Sequence, residues 1–150
     1  MEWTTHCLSG MAAGHMVTGG DWRAALVGGL AGVIPDLDDH KSKVGKVLLP
    51  LAYFLNKTFG HRTITHSLLF AFLAGIILYL FTDPWIWLAA FAGIMAHSLG
   101  DMLTGKVRFF YPAQKSFGIS TSPLMFNMIG RLTAILLLVY IGRETLMTLI

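Results

Sequence analysis

Three clusters of histidine and aspartate, each at the end of an apolar run, constrain this chain more than any other feature. The densest is Gly60-His61-Arg62-Thr63-Ile64-Thr65-His66-Ser67-Leu68-Leu69, which puts two imidazoles, an arginine and three hydroxyls at the mouth of an apolar segment. Pro35-Asp36-Leu37-Asp38 closes a second apolar run, and His97-Ser98-Leu99-Gly100-Asp101 lies near the end of a third. Ionisable groups are costly beside hydrocarbon, so side chains placed this way need something to bind. Their residue types point to a metal.

Hydrophobic residues make up 55% of the 150 residues and charged residues 13%, about half the charge of an ordinary soluble protein. A soluble globule of this length needs more polar surface, so the sequence reads as one integral membrane domain over residues 1–150. The formal charge of +3 and pI near 9.2 do not indicate nucleic acid, because the bases are spread and no basic helix appears. They suit loops facing anionic lipid. The single cysteine, Cys7, excludes an internal disulfide and a cysteine-based zinc site. No cleavable signal peptide is evident, since a basic leader is absent and His6 interrupts the first apolar run.

The expected fold is all-α: a polytopic helical membrane protein with about four or five membrane segments and a short interfacial helix. Residues 3–18 and 22–34 read as two short helices, with Gly10/Gly14 and Gly28/Gly32 at the four-residue spacing that lets membrane helices approach closely. Residues 47–55, flanked by lysines, read as the interfacial helix. Residues 64–81 and 85–103 read as transmembrane helices, the second opening with Trp85 and Trp87 as interfacial anchors. A polar, aromatic loop follows over 105–122, and a last helix runs over 124–149, interrupted by Arg131.

The 36–62 and 105–122 loops are separated by two spans and share one side of the membrane. They hold Lys41, Lys43, Lys46, Lys57, Arg62, Lys106, Arg108 and Lys115, eight of the eleven basic residues. The positive-inside rule puts both loops in the cytoplasm. This predicts a multi-pass protein of the inner, cytoplasmic membrane with all three clusters facing the cytoplasm. His6 joins them if the first two helices form an antiparallel hairpin.

His97 and Asp101 are four apart, about 40° around a helix, and can share a metal. Their ordinary alternative is a core histidine hydrogen-bonded to the aspartate. Asp36 and Asp38, two apart in an extended backbone, would face one cation, and without it their carboxylates would repel. Asp39 reads as a solvated turn residue. His61 and His66 would be about 140° apart on a regular helix, so the helix is expected to begin after His61, with Thr63 or Thr65 as N-cap. Arg62, with no acidic neighbour in sequence, is free to pair with a phosphate of substrate or lipid. His15 falls too far along its helix to join, His40 sits solvated among lysines, and Arg131 snorkels or pairs with a carboxylate.

The candidate metal ligands are therefore His6, Asp36, Asp38, His61, His66, His97 and Asp101. Seven nitrogen and oxygen ligands exceed one tetrahedral site. They suit two divalent ions, zinc first, with manganese or iron also compatible. Such a pair activates water and clamps the oxygens of a phosphoester.

In this order the clusters resemble the YdjM-like family of membrane-bound metal-dependent hydrolases, described as LexA-binding and inner-membrane-associated. The resemblance rests on Thr5-His6 with Gly10, Pro35-Asp36-Leu37-Asp38 with Ser42, His61-Arg62 through Thr65-His66-Ser67, and His97 through Asp101 with Thr104. Tyr111-Pro112 and Phe117-Gly118 also look like the family's loop. A more distant similarity runs to the sites of zinc-dependent phospholipase C and the S1/P1-type nucleases, helical phosphoesterases with His/Asp clusters. The resemblance implies a hydrolase, and the expected catalytic residues within the clusters are Asp38, His66 and Arg62. It acts by a metal-activated water on an amphiphilic, lipid-type phosphoester at the cytoplasmic interface. Membrane lipid and a cytoplasmic protein are the expected partners, and nucleic acid is not. The alternative is a non-enzymatic regulator that binds a cytoplasmic protein through its basic loops and keeps a structural metal.

Overall fold

Small residues decide how the helices meet. In the computed structural model, which describes residues 2–149, α1 (Trp3–Val17) and α2 (Trp22–Ala31) form an antiparallel hairpin around the turn at Gly19 and Gly20. A Cβ on Gly10 would overlap the carbonyl oxygen of Gly28, and one on Gly14 would overlap that of Ala24. Gly28 is closed in from the other side as well, because a Cβ on Gly93 of α6 (Pro84–Thr104) would strike its carbonyl. Three backbones therefore approach at one residue, as glycine at four-residue spacing permits.

Between α2 and α6 lie a 3-10 turn (Ile34–Asp38), α3 (Lys43–Val47), α4 (Leu49–Phe59) and α5 (Leu68–Phe81). The expected interfacial helix at 47–55 is thus two pieces. They break at Leu48, where Pro50 opens α4 with a residue that has no N–H to donate. After α6, a two-residue ribbon pairs β1 (Lys106–Val107) with β2 (Phe117–Gly118), and α7 (Pro123–Leu149) ends the chain. Apart from that ribbon the fold is helical.

The burial pattern is that of a protein in lipid. Ala24, Ala25, Ala52, Ala71 and Ala89 are fully buried, together with a set of histidines and aspartates, while Phe72, Ile76, Leu80 and Phe81 of α5 point outward. Large apolar groups outside and small or polar groups inside reverse the order found in water. Among the described residues two helices, α6 and α7, are long and apolar enough to cross a membrane. α5 starts later than expected and has only 14 residues, ~21 Å of rise against a ~30 Å hydrocarbon core.

The late start of α5 has a local cause. The Thr63 hydroxyl donates back to the carbonyls of Phe59 and Gly60, and the Thr65 hydroxyl donates to Asp38. Neither is left to cap a helix. Ser67 does so instead, its Oγ accepting from Phe70 N at 3.2 Å. Residues 60–67 consequently form a loop laid across the bundle end. The 105–122 segment holds it there, since Arg108 N donates to Arg62 O and Leu68 N to Phe109 O.

Helix direction is fixed by contacts at both ends. Arg23 lies over the Trp85 ring at 5.0 Å, so the starts of α2 and α6 are neighbours. At the other end His97 Nδ1 donates to Gly32 O at 2.7 Å. The start of α1, the 3-10 turn, the 60–67 loop and the end of α6 gather there.

Candidate metal centre

Pro35 lies in the first turn of the 3-10 helix, so Asp36 and Asp38 do not point the same way, as they would in a strand. Asp38 faces the 60–67 loop. Its Oδ1 accepts from His61 Nδ1 at 2.7 Å, and its Oδ2 accepts from Arg62 N at 2.9 Å and Thr65 Oγ1 at 2.7 Å. Arg62 adopts φ +60 to bring its N–H there, an uncommon conformation for a non-glycine residue. Burial works against the Asp38 anion, yet the hydrogen bonds from His61 and His66 hold its carboxyl well below the usual range. With both oxygens engaged, Asp38 serves as an orienting group for two histidines.

Asp36 faces the other way, with Oδ1 3.7 Å from His97 Nε2, and burial pushes its carboxyl up. Around it the remaining groups converge. His66 Nε2 lies 3.1 Å from His97 Nε2 and 3.3 Å from Asp101 Oδ2. His6 stacks on His97 at 3.7 Å between ring centroids, with Nε2 3.2 Å from Asp101 Oδ1. Two overlapping groups have ligand atoms close enough to hold an ion: His6, Asp36 and His97, and His66, His97 and Asp101.

Hydrogen-bond roles test the fit to a metal. His97 Nδ1 donates to a backbone carbonyl, which leaves a lone pair on Nε2. The Thr65 hydroxyl gives its proton to Asp38, so its oxygen accepts from His66 Nδ1 at 3.0 Å, which leaves a lone pair on His66 Nε2. Two imidazole lone pairs then face each other beside a carboxylate, and one positive charge must lie between them. Without a metal that charge is a proton: burial disfavours the His66 cation, but hydrogen bonds to Asp101 and Asp38 outweigh it and push the pKa up to about 9. His6 is 1% exposed, its Nε2 faces Asp101 Oδ1, and its Nδ1 has no hydrogen-bond partner among the described residues. A buried imidazole in that state fits a metal ligand better than a structural core residue. The donor set, nitrogen and oxygen without thiolate, fits zinc, manganese or iron.

The cluster opens on one side. A cavity of about 320 Å³ is bordered by Trp3, Asp36, Lys41, His61, Arg62 and Asp101. Arg62 does not stand free, since its Nε lies 2.8 Å from Asp101 Oδ2. A Cβ on Gly105 would overlap its Nη1, so that glycine makes room for the guanidinium.

The sequence profile of the YdjM inner membrane protein family matches residues 1–150. The chain belongs to this family. It is 35% identical to "Inner membrane protein YdjM" of Escherichia coli (strain K12) over 92 residues, 57% of this chain and 47% of that protein. The protein of the same name from Shigella flexneri matches to the same extent. "Uncharacterized protein YvsG" of Bacillus subtilis (strain 168) is 37% identical over 62 residues, 41% of this chain and 36% of the relative. The chain thus spans about half or less of the curated relatives it matches. No solved structure matches it.

In this YdjM-family chain His6, Asp36, His66, His97 and Asp101 come together, whereas His61 and Asp38 stand one layer out. Arg62 is paired with Asp101 through Nε, and it also borders the cavity. Three contributors escape sequence reasoning: Thr65 as the link between Asp38 and His66, the Gly32 carbonyl that orients His97, and Gly105 beneath Arg62. Only Thr65 carried a signal, a hydroxyl beside a histidine, and it reads equally well as a helix cap. His15 lies at the far end against Trp22 and Tyr140, and His40 is exposed.

Proposed function

We propose that this chain is a metal-dependent hydrolase of the inner membrane that cleaves a phosphoester in an amphiphilic substrate. The observation that carries the reading is the 3.1 Å approach of His66 Nε2 to His97 Nε2, with both Nδ1 atoms already committed to other partners. His66, His97 and Asp101 would hold one divalent ion, and His6 with Asp36 a second, with one Asp101 oxygen toward each group. Such ions, when bound, lower the pKa of water and polarise phosphoryl oxygens.

The chain's own residues supply the rest. Asp38 holds His66 in the tautomer that presents Nε2 to the cluster, the role carboxylates play behind metal-binding histidines. It fixes His61 likewise, so that the other ring nitrogen of this half-exposed side chain can take or give a proton at the cavity wall. Arg62 balances Asp101 and puts positive charge on the cavity. Lys41 and Lys43 add to it and attract an anionic substrate. Four or five helices enter the membrane in this reading, with α1, α2 and α5 as short segments packed against α6. The cluster faces the cytoplasm, and the lysine-flanked α3–α4 segment rests on the lipid surface.

The test uses purified full-length protein, zinc-loaded in detergent, against phosphomonoesters, phosphodiesters and phospholipids. Cleavage of at least one class is expected, with loss on His97→Ala or Asp101→Asn while the protein stays folded. Wild type that holds its metal and cleaves nothing would replace this reading with that of a regulator carrying a structural metal.

A further inference from the structure

A second cavity adjoins the polar one beside the cluster. It measures about 300 Å³ and is lined by Val33, Val44, Val47 and Leu48, with Trp3 and Lys43 common to both cavities. No acidic side chain lines it. Val47 is 80% exposed, and Leu48 beside it is also exposed, so the apolar cavity opens outward from the bundle. The Lys43 Nζ lies 4.1 Å from the centre of the Trp3 ring, which holds a cation at the line where polar lining gives way to apolar.

We propose that the two cavities form one binding site for a single-chain anionic amphiphile. Its phosphate-type head lies in the polar cavity beside His61 and Arg62, and the first part of its acyl chain lies along Val33, Val44, Val47 and Leu48. Lys43 and Trp3 mark the junction: the ammonium meets the head group, and the indole covers the start of the chain. An aromatic ring with a polar partner at such a boundary is what an interface between water and lipid selects. Lys41 and Arg62 add charge on the head-group side; of the three carboxylates there, Asp36 and Asp101 point into the cluster and Asp39 accepts from Lys41 N at 2.9 Å.

The other apolar groove, between α5 and α6, differs on both counts. Phe72, Ile76, Trp87 and Phe91 line it, it shares no residue with the polar cavity, and no cation borders it. A chain lying there would have its head group far from the cluster. The α3 side therefore determines substrate choice.

This inference rests on the hydrolase reading only for the placement of the head group against the cluster, and its test reads binding. Full-length protein is placed in nanodiscs of neutral phosphatidylcholine, both zinc-loaded and chelator-treated, with empty discs as the blank. Binding of 1-palmitoyl lysophosphatidic acid is compared with glycerol 3-phosphate, inorganic phosphate and monopalmitoylglycerol. Lysophosphatidic acid should bind at least tenfold more tightly than each of the other three. Val44→Trp, which fills the apolar cavity, should remove that advantage and leave glycerol 3-phosphate binding unchanged. Val47→Asp, at an exposed position that folding tolerates, should do the same, and Lys43→Ala should weaken lysophosphatidic acid and glycerol 3-phosphate together while leaving monopalmitoylglycerol unchanged. Equal affinity for glycerol 3-phosphate and the lysophospholipid would mean a free-phosphate site and would overturn the proposal. So would a chain-length preference that survives both valine changes. Chain-dependent binding without any hydrolysis would sink the hydrolase reading and leave this one. Hydrolysis that ignores chain length would do the reverse.

Discussion

Both ends of this helical bundle carry ionisable groups at helix termini, yet they are built differently. At the far end Asp21 caps its own helix by accepting from Arg23 N at 2.8 Å, and its carboxylate pairs with the exposed Arg23 guanidinium. Those partners are two residues apart in sequence, and solvent does the rest. At the near end Asp38, His66, His97, Asp101 and His6 are each at most 1% exposed, and their partners come from four separate segments. Burial makes each of those groups depend on the others, because a charge withdrawn from water must be matched locally. The far end's charged pair is local, and its buried imidazole, His15, meets a neutral hydroxyl, that of Tyr140. The near end behaves as a single unit.

The largest effect should come from breaking that unit at its centre. His97→Ala should abolish tight metal retention, measured as bound metal per chain after gel filtration. The cavity side chains that remain cannot replace the lone pair facing His66.

Packing comes next. Gly28→Ala places a methyl against the Gly10 carbonyl and the Gly14 backbone of α1. It should cost about 3 kcal/mol in detergent unfolding, the upper end of the usual overpacking penalty. Gly130 of α7 meets nothing within 4 Å, and the same change there should leave the unfolding midpoint where it was.

Asp38→Asn sharpens the comparison within the near end. As an orienting group, not a ligand, its loss should weaken zinc affinity by roughly 10–100-fold in a chelator competition, in line with other residues that stand behind metal-binding histidines. Complete loss would make it a ligand after all. Arg62→Ala should go the other way for metal, since the guanidinium competes for Asp101 Oδ2. Metal should be retained while phosphate binding falls about tenfold, the worth of one hydrogen bond between charged groups. The smallest effect belongs to the far end, where Asp21→Ala should lower thermal stability slightly and leave metal content unchanged.

Much of this difference is legible in the sequence. The near-end histidines and aspartates sit at the ends of apolar runs, where hydrocarbon would make them costly. The order of the runs alone brings His6, Asp36, His66, His97 and Asp101 to one end. What sequence hides is which group touches which. Asp36 and Asp38 read as a matched pair until Pro35 is seen to lie in the first turn of a 3-10 helix, which sends one to His97 and the other to His61. Arg62 reads as unpaired because Asp101 comes from another helix. Thr65 reads as a cap because the carboxylate that takes its proton arrives from the 3-10 turn. Local propensity sets where helices can start, and these long-range hydrogen bonds decide which start is used.

The central claim is that the buried histidines face one another across a bound cation. Metal stoichiometry, measured by elemental mass spectrometry on purified wild type and His97→Ala after dialysis against zinc, tests it most directly. The account predicts at least one zinc per wild-type chain and a near-complete loss in the variant. A folded wild-type protein that retains no zinc, manganese or iron would contradict it, and the cluster would then be a proton-bridged pair of imidazoles.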